Sequence, residues 1–251
     1  MSGGKRPRWS QNPKDGISEK GPAMTYRTYA IGDVHGRMDL LNLMMDQIHQ
    51  DRALDSAPAR AILLGDYIDR GPESRQVVEF LMGACKTTND LEVIALKGNH
   101  EDLLVKGYRD PNCKEGETWF LNGGMQTLES YDLMWEDPFQ TIPAAHIDFL
   151  ESLPTIFVDE LRIFVHAGLN PLFQLDEQPV KDLLWWRNQE SLRLNQFGKL
   201  IVHGHEPHGG VPSIDGGHIN LDTKAYRRGV LSCAVFDPGE YVPRILQVHA
   251  S

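Results

Sequence analysis

The stretch Ala61-Ile62-Leu63-Leu64-Gly65-Asp66-Tyr67-Ile68-Asp69-Arg70-Gly71 decides the fold. Four apolar residues without a break read as a buried strand, and the glycine-bounded polar run that follows reads as a loop. Val77, Val78, Leu81 and Met82 then recur at helical spacing. The same grammar occurs on either side. Upstream, Thr28–Ile31 leads into the loop Gly32–Gly36 and a helix marked by Leu40, Leu41, Met44, Met45 and Ile48. Downstream, Leu91–Leu96 leads into Gly98–Glu101 and a helix from near Asp102. Strand, loop and helix three times over predict an α/β fold with a largely parallel sheet and crossover helices. In such sheets ligands bind outside the carboxyl ends of the strands, so the three polar loops should converge.

Further along, residues 109–154 are broken by Pro, Gly and Trp into short helical pieces such as Ala144–Leu153, a helical insertion. Short strands are expected at Arg162–Val165, Leu200–Val202, Ile219–Leu221, Val230–Phe236 and Arg244–Val248, together forming a second, mixed sheet. Residues 1–24, rich in Gly, Pro, Lys and Ser, are expected to be a disordered tail, leaving one domain over 25–251.

The 251 residues are 41% hydrophobic and 24% charged, which suits a soluble globular protein with a sizeable core. No apolar run reaches bilayer length and the N-terminus lacks a signal-peptide core, so neither membrane insertion nor export is expected. Cys85, Cys113 and Cys233 follow no disulfide or metal spacing, which fits a reducing, cytoplasmic setting. A formal charge of −10 speaks against duplex nucleic acid as a partner. A local basic pocket for phosphate remains compatible with it.

Five loops carry the chemistry: Gly32-Asp33-Val34-His35-Gly36, Gly65 to Gly71, Gly98-Asn99-His100-Glu101, His166-Ala167-Gly168 and Gly204-His205. Each sets a metal-ligand residue type beside glycine after a predicted strand. Singly, these are ordinary turn residues or structural histidines. All five in one chain point to metal, and mixed Asp, Asn and His ligands suit manganese, iron or zinc better than calcium.

The set D-x-H-G, G-D-x-x-D-R-G, G-N-H-E, H-A-G and G-H resembles the phosphoprotein phosphatase branch of the calcineurin-like metallophosphoesterases, over residues from roughly 28 to 249. The resemblance implies two facing mixed β-sheets flanked by helices. It implies two divalent metal ions, manganese first, held by Asp33 and His35 on one side and by Asn99, His166 and His205 on the other, with Asp66 bridging. His203 and His208 occupy no ligand position, and Pro207 stands where the wider superfamily often has a further His.

A metal pair can hold a hydroxide for in-line attack on phosphorus. His100 is then the candidate general acid, oriented by Asp69. Arg70 offers two parallel donors to phosphate oxygens. Arg187 resembles a second phosphate clamp of bacterial and phage members, with a surface ion pair as the alternative. Asp222-Thr223-Lys224-Ala225 resembles a bacterial D-T-G-A segment with Lys224 in the glycine's place; the lysine either reaches towards the substrate's phosphate or, the preferred reading, faces solvent. The expected activity is serine/threonine phosphoprotein phosphatase. The alternative is symmetrical hydrolysis of a dinucleoside polyphosphate such as diadenosine tetraphosphate, for which Trp119, Phe120 and Trp135 are available as stacking surfaces. A metal-free interaction module would have lost ligands that this chain retains.

Overall fold

A computed structural model describes residues 26–54, 57–86, 91–132, 138–193 and 196–250. The expected N-terminal tail and Trp135 lie outside these residues. Strands β1 (Arg27–Ile31), β2 (Ala59–Leu63) and β3 (Leu91–Ala95) pair in parallel, joined by helices α1 (Met38–Arg52) and α2 (Ser74–Ala84). Their side chains are apolar on both faces because both faces are covered. Tyr29, Ile31 and Leu63 pack against Leu40, Met44 and Val77 of the helices, while Ala30, Ile62 and Leu64 turn the other way.

After β3 come α3 (Asn99–Arg109), α4 (Lys114–Trp119), a π-helical turn at Phe120–Gly124, α5 (Met125–Ser130), a 3-10 turn at Phe139–Thr141 and α6 (Ala144–Glu151). Next are β4 (Ile156–Val158), β5 (Arg162–Val165), α7 (Val180–Trp185), α8 (Gln189–Arg193), β6 (Leu200–His203), β7 (Ser213–Asp215), β8 (His218–Asn220), α9 (Ala225–Arg228), β9 (Val230–Phe236) and β10 (Arg244–His249). Two five-stranded mixed sheets result, ordered β10-β9-β1-β2-β3 and β4-β5-β6-β8-β7. They face each other across a core that includes Ile62, Leu96, Phe164, Val202 and Phe236. Leu183 and Leu192 cover the outer face of the second sheet against Ile163 and Ile201. No helix among the described residues is long and apolar enough to cross a membrane.

One expectation needs correction. β9 and β10 belong to the first sheet, with β9 antiparallel to β1 in a register that sets Thr28 opposite Phe236 and Ile31 opposite Cys233. All seven residues of β9 are buried, which requires a strand on each side and layers above and below. The slot between β1 and β10 provides that. The strands β4 and β7, unanticipated from sequence, are three residues each and too short to show a period.

Candidate active site

Every expected ligand loop leaves the carboxyl end of a strand. Asp33 and His35 follow β1, Asp66 and Asp69 follow β2, Asn99 and His100 follow β3, His166 follows β5 and His205 follows β6. Backbone bonds join these loops directly. The His35 N–H donates to the Asp66 carbonyl at 2.8 Å, and the Gly204 N–H donates to the His166 carbonyl at 2.8 Å. His35, Asp66, Asp69, Arg70 and His205 all have positive φ, a conformation that costs an L-residue about 1–2 kcal/mol. Such strain persists only where surrounding contacts over-determine it. Gly204 shows the crowding, because a Cβ there would strike Asp33 Oδ1.

The donor atoms converge in a way hydrogen bonds cannot satisfy. His166 Nδ1 lies 2.8 Å from the Leu64 carbonyl, so that nitrogen carries the proton and Nε2 presents a lone pair. The bare nitrogen faces Asn99 Oδ1 at 2.8 Å and Asp66 Oδ1 at 3.3 Å. His205 Nδ1 meets the same Asn99 oxygen at 2.9 Å, while its Nε2 is buried with no hydrogen-bond partner among the described residues. Across the site, His35 Nδ1 donates to the Ile68 carbonyl at 2.8 Å and leaves Nε2 3.5 Å from Asp66 Oδ2.

Burial keeps these imidazoles uncharged. It depresses the pKa of His35 and of His166, and with the neighbouring His166 it pushes His205 down to about 2. Neutral imidazoles, an amide oxygen and carboxylates turned on one small volume form the donor set of a transition-metal site. Asp66 belongs to two tight clusters, His35–Asp66–His100 and Asp66–His166–His205, each with its atoms within 4.8 Å of one another. Asp33 stands outside both, accepting the His205 N–H at 3.1 Å. Burial, then the charges of Asp222 and Asp66, raise the Asp33 pKa. Three buried carboxylates sharing one field need positive charge nearby, and a divalent pair fits the residues present.

Beside this cluster lies a proton-handling pair. His100 Nδ1 is 2.6 Å from Asp69 Oδ2, with both side chains buried. Burial lowers the His100 pKa, but the carboxylates of Asp66 and Asp69 outweigh it and hold the imidazole above its usual value. The second Asp69 oxygen accepts the Trp119 indole N–H at 3.0 Å and the Thr127 hydroxyl at 2.6 Å. Arg70 spans the two centres, with Nη1 2.8 Å from His35 Nε2 and Nη2 2.9 Å from His100 Nε2. Two nitrogens share a hydrogen only when one lacks its proton. This pose of Arg70 therefore goes with neutral His100, and charging His100 requires the guanidinium to turn outward. Gly123, at φ 106°, accepts the Arg70 N–H at 3.2 Å in a spot where a Cβ would press on the Arg70 side chain.

Residues 26–232 match the family model of the calcineurin-like phosphoesterases. The chain belongs to that family. Among curated relatives, a symmetrical bis(5'-nucleosyl)-tetraphosphatase of Pseudomonas fluorescens (strain Pf0-1) is 29% identical over 151 residues, 59% of this chain and 43% of the relative. The chain spans about half the length of the curated relatives it matches. Among solved structures, one provisionally named diadenosine tetraphosphatase superposes with a TM-score of 0.67 at 20% identity, covering 94% of this chain and 98% of the other. A serine/threonine phosphatase from Saccharomyces cerevisiae, similar to human PP5, has a TM-score of 0.60 at 15% identity, covering 96% and 85%. These likenesses establish the fold.

In this metallophosphoesterase the structure brings together the expected ligands, the His100–Asp69 pair and Arg70. Arg187 is exposed and makes no ion pair among the described residues, although its charge reaches His205. His203 pairs with His218 at 2.9 Å and His208 is exposed, so neither joins the donor cluster. Trp119 is wholly buried against Phe120 and Phe139, which leaves it no face for stacking a base.

Three supporting residues had no role in the sequence reading. Glu101 accepts the backbone N–H groups of Asp66 and Gly98 at 2.9 Å and of Tyr67 at 2.8 Å. Its pKa is pushed up to about 7 by burial and then by Asp66. Thr127 binds Asp69, and Asp222 adds a carboxylate whose pKa burial raises to about 6. The available signals were the aspartate opening Asp222-Thr223-Lys224-Ala225 and the glutamate closing Gly98-Asn99-His100-Glu101. An acid in the first turn of a helix suits the positive helix end, and that alone does not reveal a partner in another loop.

Proposed function

We propose that this phosphoesterase cleaves a dinucleoside polyphosphate symmetrically at a phosphoanhydride bond. The observation that carries the reading is the shared name of its curated relatives, symmetrical bis(5'-nucleosyl)-tetraphosphatase, on a chain that retains each catalytic loop. Asp33, His35, Asp66, Asn99, His166 and His205 hold two divalent ions, with manganese, iron or zinc all compatible with the ligands. When bound, such a pair supplies Lewis-acid activation of water and of the phosphate oxygens. Arg70 turns its planar guanidinium from the two imidazoles to the non-bridging oxygens of the scissile phosphate. Water's oxygen sheds a proton to solvent and forms the new bond to phosphorus as the bond to the bridging oxygen breaks. His100 Nε2 gives its proton to the departing oxygen, while Asp69 keeps the ring oriented and stabilises its charged form.

A second reading, phosphoserine or phosphothreonine hydrolysis, is favoured by the His100–Asp69 pair itself. A serine alkoxide leaves poorly without a proton, whereas a nucleotide phosphate leaves readily, so a buried acid is most useful on the ester. The test compares diadenosine tetraphosphate with a phosphoserine peptide on manganese-loaded protein, with Asp66→Asn as control. Two molecules of ADP per substrate, and kcat/KM at least about tenfold above the peptide, are expected. ATP with AMP, or preferential turnover of the peptide, would overturn the anhydride reading. Activity surviving in Asp66→Asn or in chelator would remove the metal assignment.

A further inference from the structure

Outside the donor cluster, a hollow is lined by Lys224, Arg227 and Arg228. We propose that these three cations form a second anion subsite, which receives the phosphates of the substrate that lie beyond the one being attacked. The proposal rests on the polyphosphate reading above and names the residues that would distinguish a phosphate chain from a single phosphate.

The position of α9 ties the hollow to the reacting centre. Tyr226, within the same turn, lies edge-on to the His35 ring at 5.3 Å and carries the Arg70 guanidinium 4.8 Å above its own ring. The Lys224 backbone N–H donates to Asp222 Oδ1 at 2.9 Å, and the Lys224 charge is felt at that buried carboxylate. Arg37 Nη1 donates to the Ala225 carbonyl at 2.8 Å and pins the turn. On the far side, Gly210 of the loop after His205 lies against the Arg228 stem and offers no side chain to fill the space.

Charge and backbone both call for a ligand. Lys224, Arg227 and Arg228 crowd like charges together, and none makes a salt bridge among the described residues. This happens on a protein of formal charge −10, where carboxylates are plentiful. Lys224 also holds a left-handed backbone, φ 59° and ψ 50°. A side chain there costs about 1 kcal/mol relative to glycine. A strained lysine whose ammonium makes no salt bridge among the described residues, two residues from a ring that touches Arg70, is placed to meet an anion that has passed the first phosphate site. A chain of phosphates has the charge and length to occupy both.

The test measures competition by a methylene-bridged tripolyphosphate and by orthophosphate against p-nitrophenyl phosphate, using manganese-loaded full chain with magnesium in excess. The same ligands are compared by thermal upshift, which does not depend on turnover. Tripolyphosphate is expected to bind at least about tenfold more tightly than orthophosphate. Lys224→Gly, which relieves backbone strain and therefore folds, and Arg227→Ala with Arg228→Ala should each reduce that ratio several-fold. An unchanged ratio in both variants overturns the subsite, even if diadenosine tetraphosphate is cleaved. If the ratio falls in the variants while no dinucleoside polyphosphate is hydrolysed, the subsite stands and the substrate reading fails.

Discussion

Glu101→Gln should loosen the loop that carries Asp66 while leaving every expected metal ligand in the sequence. The Glu101 carboxylate accepts four backbone N–H groups: Asp66 and Gly98 on Oε2, both at 2.9 Å, and Tyr67 at 2.8 Å and Ile68 at 3.4 Å on Oε1. Glutamine has one oxygen. Placed to keep the two equal bonds at Oε2, it turns its NH2 against the N–H groups of Tyr67 and Ile68, donor against donor. Leaving a buried donor unsatisfied costs about 1–3 kcal/mol. With the weak Ile68 contact counted low, the change should cost about 2–4 kcal/mol. A chain of this size loses about 2–4 °C of Tm per kcal/mol, so a fall of roughly 4–16 °C is expected.

Thermal unfolding followed by circular dichroism reads this directly. Asp102→Asn is the matching control, because the Asp102 salt bridge among the described residues is with the exposed Lys106 at i,i+4, worth about 0.3–0.5 kcal/mol. Displacement of Asp66 should also lower kcat about tenfold or more, since small misplacements of a reacting constellation are costly. A Glu101→Gln protein melting within about 1 °C of wild type, with kcat within about twofold, would refute the claim that Glu101 sets the geometry of the Asp66 loop.

Two further perturbations probe other parts of the molecule. Thr127→Val removes a 2.6 Å donor to Asp69 and the acceptor of the Asp69 N–H at 2.9 Å, and should destabilise by about 1–3 kcal/mol. It should also slow ester substrates more than anhydrides, since a poor alkoxide leaving group leans on the His100 proton more than a nucleotide phosphate does; equal slowing of both would separate Thr127 from proton transfer. His146, hydrogen-bonded to the Tyr131 hydroxyl at 2.8 Å, is held below the usual imidazole range by burial, against Glu79, with Arg75 adding to the depression. The unfolded chain therefore takes up this proton first, near pH 6.5, and stability falls as pH drops below that value towards the folded pKa. Between pH 7.5 and 5, His146→Asn should show a shallower loss of Tm than wild type, and parallel curves would remove His146 as a contributor.

What the sequence disclosed and what it withheld separate along a physical line. Asp33, His35, Asp66, Asn99, His166 and His205 were legible because each directly follows an apolar run and adjoins glycine, so local pattern alone put them at strand ends. Parallel strands then carry those ends to one edge without any knowledge of register. Glu101 and Thr127 escaped because their partners are backbone and carboxylate groups 34–35 and 58 residues away, and nothing near them in sequence records such a distance. The sheet assignment of β9 failed for the same reason: a seven-residue apolar run states that it is buried, not beside which strand. The substrate is the extreme case. Metal ligands must be particular residue types, whereas recognition of a phosphate chain requires only cations at suitable positions. Lys224 carries no such mark in the sequence, since neither its left-handed backbone nor the hollow it lines with Arg227 and Arg228 is written in neighbouring residues. A lysine's reach is set by where its backbone is anchored, and that anchor is the bond from its own N–H to Asp222.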